Sequence, residues 1–226
     1  MRIRTSSASP GRPAASLDRD ARDLLLTSAT ELFAERGVAA TTFSTIATRA
    51  GLTPAMLHYY FQDREQLLDA VVEERLAPMI ARVWGPVEAD GDPAVLIRGV
   101  VARLLLGIEQ MPWIPATWMR EILNEGGLLR TRMLRRLPFD KIRIVGAAIA
   151  RGQADHKVNP TLDPLLTVFS ALGLVMLHMA TVNIWAEMFG RKPLNHDAVG
   201  RHITGLLMDG LRHSPKPARK SSRRKP

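Results

Sequence analysis

The chain has 226 residues, 46% of them hydrophobic and 23% charged, which is enough to bury a folded core in one or two domains. It contains no cysteine, which excludes disulfides, thiolate chemistry and cysteine-based zinc sites and fits a reducing cytoplasm. The net charge of +9 comes entirely from residues 1–16 and 213–226, which hold three and six basic residues and no acid. We therefore predict a flexible basic arm and a disordered basic tail around a formally neutral body.

The first predicted helices are short and closely spaced. Apolar residues at helical spacing predict a helix over residues 18–36, with Gly37 as its C-terminal cap. Thr42 and Thr53 are predicted N-caps of the next two helices, and Gly51 permits the sharp turn between them. Each of these two helices spans little more than two turns.

Further helices follow to the end of the body. Asp63 is expected to cap a fourth helix that reaches about residue 82 and that Pro78 should kink or end. The later helices are predicted from residue 93 until Pro112 breaks the chain, and over residues 117–123, 128–136, 139–151, 164–190 and from residue 195 or 197 onward. No convincing strand pattern appears, so the predicted fold class is all-α.

Residues 42–61 have the arrangement of a helix-turn-helix. Reading the DNA major groove needs a rigidly held helix that exposes polar and aromatic side chains and is braced by a preceding helix. Ile46 and Ala47 supply a small apolar inner surface to the first helix, and Leu57 and Phe61 anchor the second. The remaining polar and aromatic side chains of the second helix are then expected to face outward.

The same residues carry a family resemblance. The segments Leu32-Phe33-Ala34-Glu35-Arg36-Gly37, Ala50-Gly51-Leu52-Thr53, Leu57-His58-Tyr59-Tyr60-Phe61 and Arg64-Glu65-Gln66-Leu67-Leu68 resemble, in order and spacing, the DNA-binding head of the TetR family. The match spans about residues 17–76. It implies a homodimer whose recognition helices enter successive major grooves of a palindromic operator in double-stranded DNA, and which a small ligand releases.

The resemblance also implies which residues contact DNA. Phosphate contacts are expected from Thr42, Tyr60 and Arg64, base-edge or groove contacts from Thr53, Pro54, Ala55 and Tyr59, and further contacts from His58, Ser44 and Thr45. The alternative is that the threonines are only helix caps and the tyrosines only fill the space between helices. Because residues 17–75 hold six arginines against ten acids, we expect Arg2, Arg4 and Arg12 of the arm to add affinity.

Residues 164–186 carry no formal charge and could span a bilayer by length. Polar residues within this stretch favour instead a helix that is buried on all sides in protein. Together with the last helix it would form a four-helix seam between two subunits. We therefore predict a homodimer through the last two helices and no membrane insertion.

An effector cavity is expected in the helical body, because ligand sites there are apolar with a few orienting polar groups. The candidate lining is Trp113, Trp118, Met119, Ile122, Met176, His178, Thr181, Asn183 and Trp185. The alternative is that these residues form ordinary core. This lining would suit an apolar or aromatic effector.

The sequence thus predicts a cytoplasmic transcriptional regulator, usually a repressor in this family. Its expected division is a helix-turn-helix domain over residues 17–63 and an effector-binding and dimerisation domain over residues 64–212. No nucleophile elbow, phosphate-binding glycine loop or helical histidine pair is present, so we expect no enzyme, cofactor or metal site. The alternative is a helical small-molecule-binding or interaction protein without specific DNA binding.

Overall fold

The computed structural model describes residues 14–212, with side chains from Asp18 onward. Within this range the chain forms helices and no β-strand, and only an isolated antiparallel bridge joins Val158 to Arg212. The predicted all-α class is confirmed. The tail over residues 213–226 and the arm arginines Arg2, Arg4 and Arg12 lie outside the described residues.

The N-terminal helices begin where local capping chemistry places them. Their bounds are α1 Ala14–Arg36, α2 Phe43–Arg49, α3 Pro54–Tyr60, α4 Arg64–Val71, a π-helical turn Val72–Leu76 and α5 Ala77–Trp84. Thr42, Thr53 and Asp63 each accept a hydrogen bond from the backbone N–H three residues on, so the three predicted caps are confirmed. The first helix begins at Ala14, four residues before its predicted start.

Pro78 does not end the fourth helical run, contrary to one of the two predicted outcomes. The π-helical turn Val72–Leu76 comes directly before α5, and the Ala77 N–H donates to the Val72 carbonyl. Pro78 is thus the second residue of α5, within the first turn after a change of helical register. A proline there is tolerated because its missing N–H falls where the regular bonding pattern is already altered.

The C-terminal helices complete the fold. Their bounds are α6 Pro93–Gln110, α7 Ile114–Thr117, a π-helical turn Trp118–Ile122, α8 Arg130–Leu134, α9 Phe139–Ala154, α10 Pro164–Met188 and α11 His196–Leu211. The helix predicted over residues 117–123 is mostly the π-helical turn. The one predicted over residues 128–136 is only α8, because the Leu128 N–H is bound by the Glu121 side chain and helical bonding starts later.

The described chain divides into two compact units. The first unit contains residues 14–77 and 116–135, and the second contains residues 78–115 and 136–212. The first unit buries Leu25, Leu26, Ala29, Leu32, Phe33, Ile46, Leu57, Phe61, Leu67 and Leu68. In the second unit α10 packs against α6, α9 and α11. The predicted functional division at residue 64 stays a prediction, since these units are drawn from packing alone.

Within the single described chain, α10 is only partly covered, so its predicted burial on all sides, with one face against a partner subunit, stays a prediction. The helix is long and apolar enough to cross a membrane by length and composition, but only 28% of its most apolar window is buried within the protein. Val168, Ala171 and Val175 face α6, α9 and α11, whereas Leu166 and Leu177 are exposed. The uncovered apolar side is the surface that the predicted partner subunit would bury.

Candidate nucleic-acid interface

The two helices α2 and α3 form a rigid pair on the first unit. Ile46, Ala47 and Leu57 are buried beneath them, as predicted, and Phe61 closes the end of α3 in the same core. Gly51 has φ of +69°, a conformation that glycine adopts without strain, and the Leu52 N–H donates to the Ala47 carbonyl across the turn. The pair is thereby held in a fixed orientation to α1.

The outer face of this pair exposes most of the predicted DNA contacts. The exposed members are Thr42, Ser44, Thr53, Pro54, Ala55, His58 and Tyr59. Tyr60 and Arg64 are half-buried. The structure therefore brings seven predicted contact residues together on one accessible surface, which we call the α2–α3 face. Their contacts with DNA stay predictions.

Thr42 and Thr53 serve as caps and remain accessible. Thr42 and Thr45 form a reciprocal capping box, in which each hydroxyl accepts from the other residue's backbone N–H at 3.2 and 3.0 Å. The Thr53 hydroxyl accepts from the Met56 N–H at 3.3 Å. Capping of this kind stabilises a helix end by about 1 kcal/mol. Both residues thus serve as caps while staying exposed.

The aromatic residues of α3 differ in how they are held. His58 packs against Phe43 with ring centroids 5.0 Å apart, and Tyr59, which is 76% exposed, meets Tyr60 edge-on. The Tyr60 hydroxyl donates to the Asp18 carboxylate at 2.6 Å. That hydrogen bond, with smaller contributions from desolvation and from the charge of Asp18, raises the pKa of Tyr60 to about 12. Of the two tyrosines, Tyr59 is the more accessible.

Arg64 lies against the chain that connects α1 to α2. Its guanidinium donates to the Val38 carbonyl and, at 3.0 Å, to the Thr41 carbonyl. We call residues 37–42 the α1–α2 turn. Arg64 therefore braces this turn in the present conformation, and its predicted phosphate contact stays a prediction.

Glu121 is a residue of this unit that the sequence analysis missed. It is only 5% exposed, and its carboxylate accepts from the Val38 N–H at 2.7 Å and from the Leu128 N–H at 3.1 Å. A buried carboxylate requires such donors, because its desolvation is otherwise costly. The only signal in the sequence is an acidic residue within the largely apolar stretch 113–123.

Several arginines of the first unit are already paired. Arg49 contacts Glu35 at 2.7 Å and Glu31 at 3.3 Å, and Arg75 contacts Asp23 at 2.5 Å. The hydrogen bond from Arg49 lowers the pKa of the Glu35 carboxyl. These pairs reduce the positive charge that the unit can offer to phosphates, in line with its excess of acids.

The effector candidates are divided between the two units. In the first unit Ile122 is buried, and Trp118 and Met119 are half-buried in the π-helical turn. In the second unit Met176 is buried, Trp113, His178 and Thr181 are half-buried, and Asn183 and Trp185 are exposed. The His178 ring is 5.9 Å from that of His202, and the Trp185 indole N–H donates to the Thr181 hydroxyl at 3.0 Å. Their role as a lining stays a prediction.

A different cavity of about 450 Å³ lies in the second unit. It is lined by charged side chains that include Asp90, Arg98, Arg151 and Lys157, and by none of the effector candidates. Within the part of the chain that the structure describes, no group of three or more His, Asp or Glu side chains could hold a metal ion.

Comparison with known proteins finds a family match in the N-terminal part of the chain. Residues 25–71 match the family described as bacterial regulatory proteins, tetR family. The HTH-type transcriptional repressor KstR2 of Mycolicibacterium smegmatis is 23% identical over 85% of this chain and 91% of its own length. The HTH-type transcriptional regulator BetI of Rhizobium meliloti is 28% identical over 43% of this chain and 48% of its own length.

Solved structures share the fold over most of the chain. The ketosteroid transcriptional regulator KstR2 of Mycobacterium tuberculosis has a TM-score of 0.68 and 20% identity, covering 85% of this chain and 95% of that one. The transcriptional regulator FadR of Bacillus subtilis, solved in complex with stearoyl-CoA, has a TM-score of 0.62 and 17% identity, covering 84% and 99%. At these sequence identities, the structural similarity supports a shared fold and nothing more specific.

Proposed function

Because this chain belongs to the TetR family of bacterial transcriptional regulators, we propose that it is a repressor that binds a palindromic operator as a homodimer and leaves it when a small apolar or aromatic effector binds. The observation that carries the proposal is the α2–α3 face. It offers hydroxyl, imidazole, phenol and methyl groups on two capped helices that a buried apolar core holds rigid. A rigid helix with such groups at its N-terminal end suits the major groove.

The proposed contacts divide by role. Thr42, Tyr60 and Arg64 would fix the position of the protein on the phosphates, and Thr53, Pro54, Ala55 and Tyr59 would contact base edges or the groove. Ser44, Thr45 and His58 would add weaker contacts. Arg2, Arg4 and Arg12 of the arm would supply positive charge that the paired arginines of the first unit do not.

The proposed dimer uses α10 and α11. Along α10, Leu166, Ser170, Gly173, Leu177 and Ile184 are exposed and recur at steps of three, four and seven residues, which places them on one stripe of the helix. A Cβ added at Gly173 would meet no atom within 4 Å, so the backbone is open to close approach there. The exposed Leu206 extends apolar surface onto α11. A second copy of the same stripe gives a two-fold symmetric seam, as a palindromic operator requires.

The effector is proposed to be largely apolar. The candidate residues of the π-helical turn and of α10 include tryptophan, methionine and isoleucine side chains with few polar groups between them. The similar FadR of Bacillus subtilis was solved with stearoyl-CoA, which carries a long apolar chain. We further propose that the chain acts in the cytoplasm, catalyses no reaction and does not insert α10 into a membrane.

The proposal is tested by selecting genomic DNA fragments that the purified full-length chain retains at physiological salt, and by sequencing them. We expect one enriched sequence with two-fold symmetry. Retained fragments without a common site would contradict specific operator binding, because electrostatic attraction of the basic termini alone retains DNA regardless of sequence. That result would favour the alternative of a helical binding module without specific DNA function.

A further inference from the structure

The peptide of Val38 is held from both sides by charged side chains. Its N–H donates to the Glu121 carboxylate at 2.7 Å, and its carbonyl accepts from the Arg64 guanidinium. The Thr41 carbonyl, three residues on, accepts from the same guanidinium. Thr42 follows directly and caps α2. These contacts therefore fix the point from which the DNA-contacting helices begin.

The turn is shaped to receive Glu121. Gly37 has φ of +84°, and a Cβ added there would lie 3.3 Å from the Glu121 carboxylate and 3.2 Å from the Arg120 side chain. On the other side, a Cβ at Gly127 would lie 1.8 Å from the Glu121 carbonyl oxygen. Glycine at position 127 therefore lets the Glu121 backbone approach, and the positive φ favours glycine at position 37. The carboxylate joins two chain segments that are 83 residues apart.

The position of Glu121 within its own segment connects it to the proposed effector site. It belongs to the π-helical turn Trp118–Ile122, which also carries the candidate effector contacts Trp118, Met119 and Ile122. π-Helical turns are uncommon and often occur at functional sites. A ligand that moved this turn would move the Glu121 carboxylate with it.

We propose that Glu121 is a positioning residue for DNA binding, which holds the α1–α2 turn and thereby transmits displacement of the π-helical turn to Thr42 and α2. This inference rests on the proposed function. It deepens that function by naming the contact, between Glu121 and Val38, through which effector binding would change operator binding. Loss of the bond to Val38 removes the contact between the turn and residues 118–122, whereas Arg64 and the internal bond from the Thr41 hydroxyl to the Gly37 carbonyl remain. The helices then stay folded, but the turn no longer follows the π-helical turn.

The first test compares Glu121→Gln with Glu125→Gln, which removes the charge of an exposed acid from the same segment. The glutamine side chain has only one acceptor oxygen, so its NH2 group would face one of the two backbone N–H groups, of Val38 or Leu128, and two donors would oppose each other. We expect Glu121→Gln to weaken binding of the selected operator fragment by about tenfold relative to the control, since hydrogen bonds to a charged acceptor are among the stronger ones. Thermal unfolding is measured on both variants, and a lower midpoint with operator affinity equal to the control would overturn the proposal.

The second test needs only the wild-type protein and the same fragment. By reciprocity, operator binding should stabilise the contacts that position α2, so amide hydrogen exchange should slow at both Val38 and Leu128. Slower exchange in α3 with no change at Leu128 would overturn the role of Glu121 even if the variant failed to fold. If the wild-type protein retains no symmetric fragment, the proposed function fails and this inference fails with it.

Discussion

The two units expose different chemistry on their surfaces. The α2–α3 face of the first unit presents hydroxyl, imidazole and phenol groups, and its charged neighbours are paired, as Arg49 is with Glu35. The α10 stripe of the second unit presents Leu166, Leu177 and Ile184 with no charged residue between them. Exposure alone therefore does not identify a partner. The polar face suits a hydrated, negatively charged duplex, and the apolar stripe suits a protein surface that excludes water.

The largest expected effect comes from placing a charge on the α10 stripe. Leu177 is 51% exposed, so Leu177→Arg should leave the single subunit folded but bury an unpaired charge in the proposed seam. Such a charge costs about 3 kcal/mol or more, and because a homodimer carries the substitution in both subunits, the loss of dimer affinity should exceed about 100-fold. We expect sedimentation at micromolar concentration to show monomers, and operator binding to fall in parallel.

The matched control for this change is Phe139→Arg on α9, where the phenylalanine is 47% exposed in the same unit. It introduces the same charge at a similarly accessible position away from the stripe. The control should stay dimeric and bind the operator. If both variants remained dimers, the dimer interface would lie elsewhere, and the α10 stripe would have no assigned partner.

A smaller effect is expected on the polar side from Tyr59→Ala. The ring is mostly exposed and makes an edge contact with Tyr60, so its removal should leave the unfolding midpoint nearly unchanged. Loss of one base contact should weaken operator binding by about tenfold and lower the preference over unrelated DNA. Affinity is measured on the selected operator and on a scrambled duplex of equal length.

Two further variants sharpen the interpretation of Tyr59. Leu24→Ala removes an exposed apolar side chain from α1 and should change neither affinity. Thr42→Ala removes the proposed phosphate contact, and it should weaken binding to both duplexes alike, because phosphate contacts carry no sequence information. Equal losses on both duplexes for Tyr59→Ala would contradict its assignment as a base contact.

The features that the sequence predicted are mostly local ones. The caps Thr42, Thr53 and Asp63 act on N–H groups three residues away, so spacing along the chain is enough to find them. The inner residues Ile46 and Leu57 follow helical periodicity in the same way. Exposure of the α2–α3 face follows from that periodicity and from the resemblance to one family.

The features that the sequence missed depend on distant contacts or on a partner. Glu121 meets Val38 across 83 residues, and no spacing rule predicts such a pair. What covers the exposed side of α10 stays a prediction, because an absence of charge indicates a low cost of leaving water but does not identify the covering surface. The direction of the Arg64 side chain toward the α1–α2 turn likewise arises from packing in three dimensions.

The smallest expected effect concerns the half-buried tyrosine of the polar face. Tyr60 donates to Asp18, so its pKa in the folded protein, about 12, lies above the value of about 10 expected after unfolding. This contribution to stability is fully present below pH ~10 and is lost as the pH rises toward ~12. Since the chain has two tyrosines, Tyr59→Phe leaves Tyr60 as the sole phenol for an alkaline absorbance titration.

In that background Asp18→Asn should lower the pKa of Tyr60, because an amide accepts the hydroxyl proton more weakly and carries no charge. With the wild-type Tyr59 restored, the same substitution should strengthen operator binding by about threefold, since it removes an exposed negative charge beside a proposed phosphate contact. The gain should shrink at high salt, where exposed charges are screened. A lowered pKa with unchanged operator affinity at every salt concentration would show that Tyr60 lies outside the DNA interface, and would leave its role to the packing of α3 against α1.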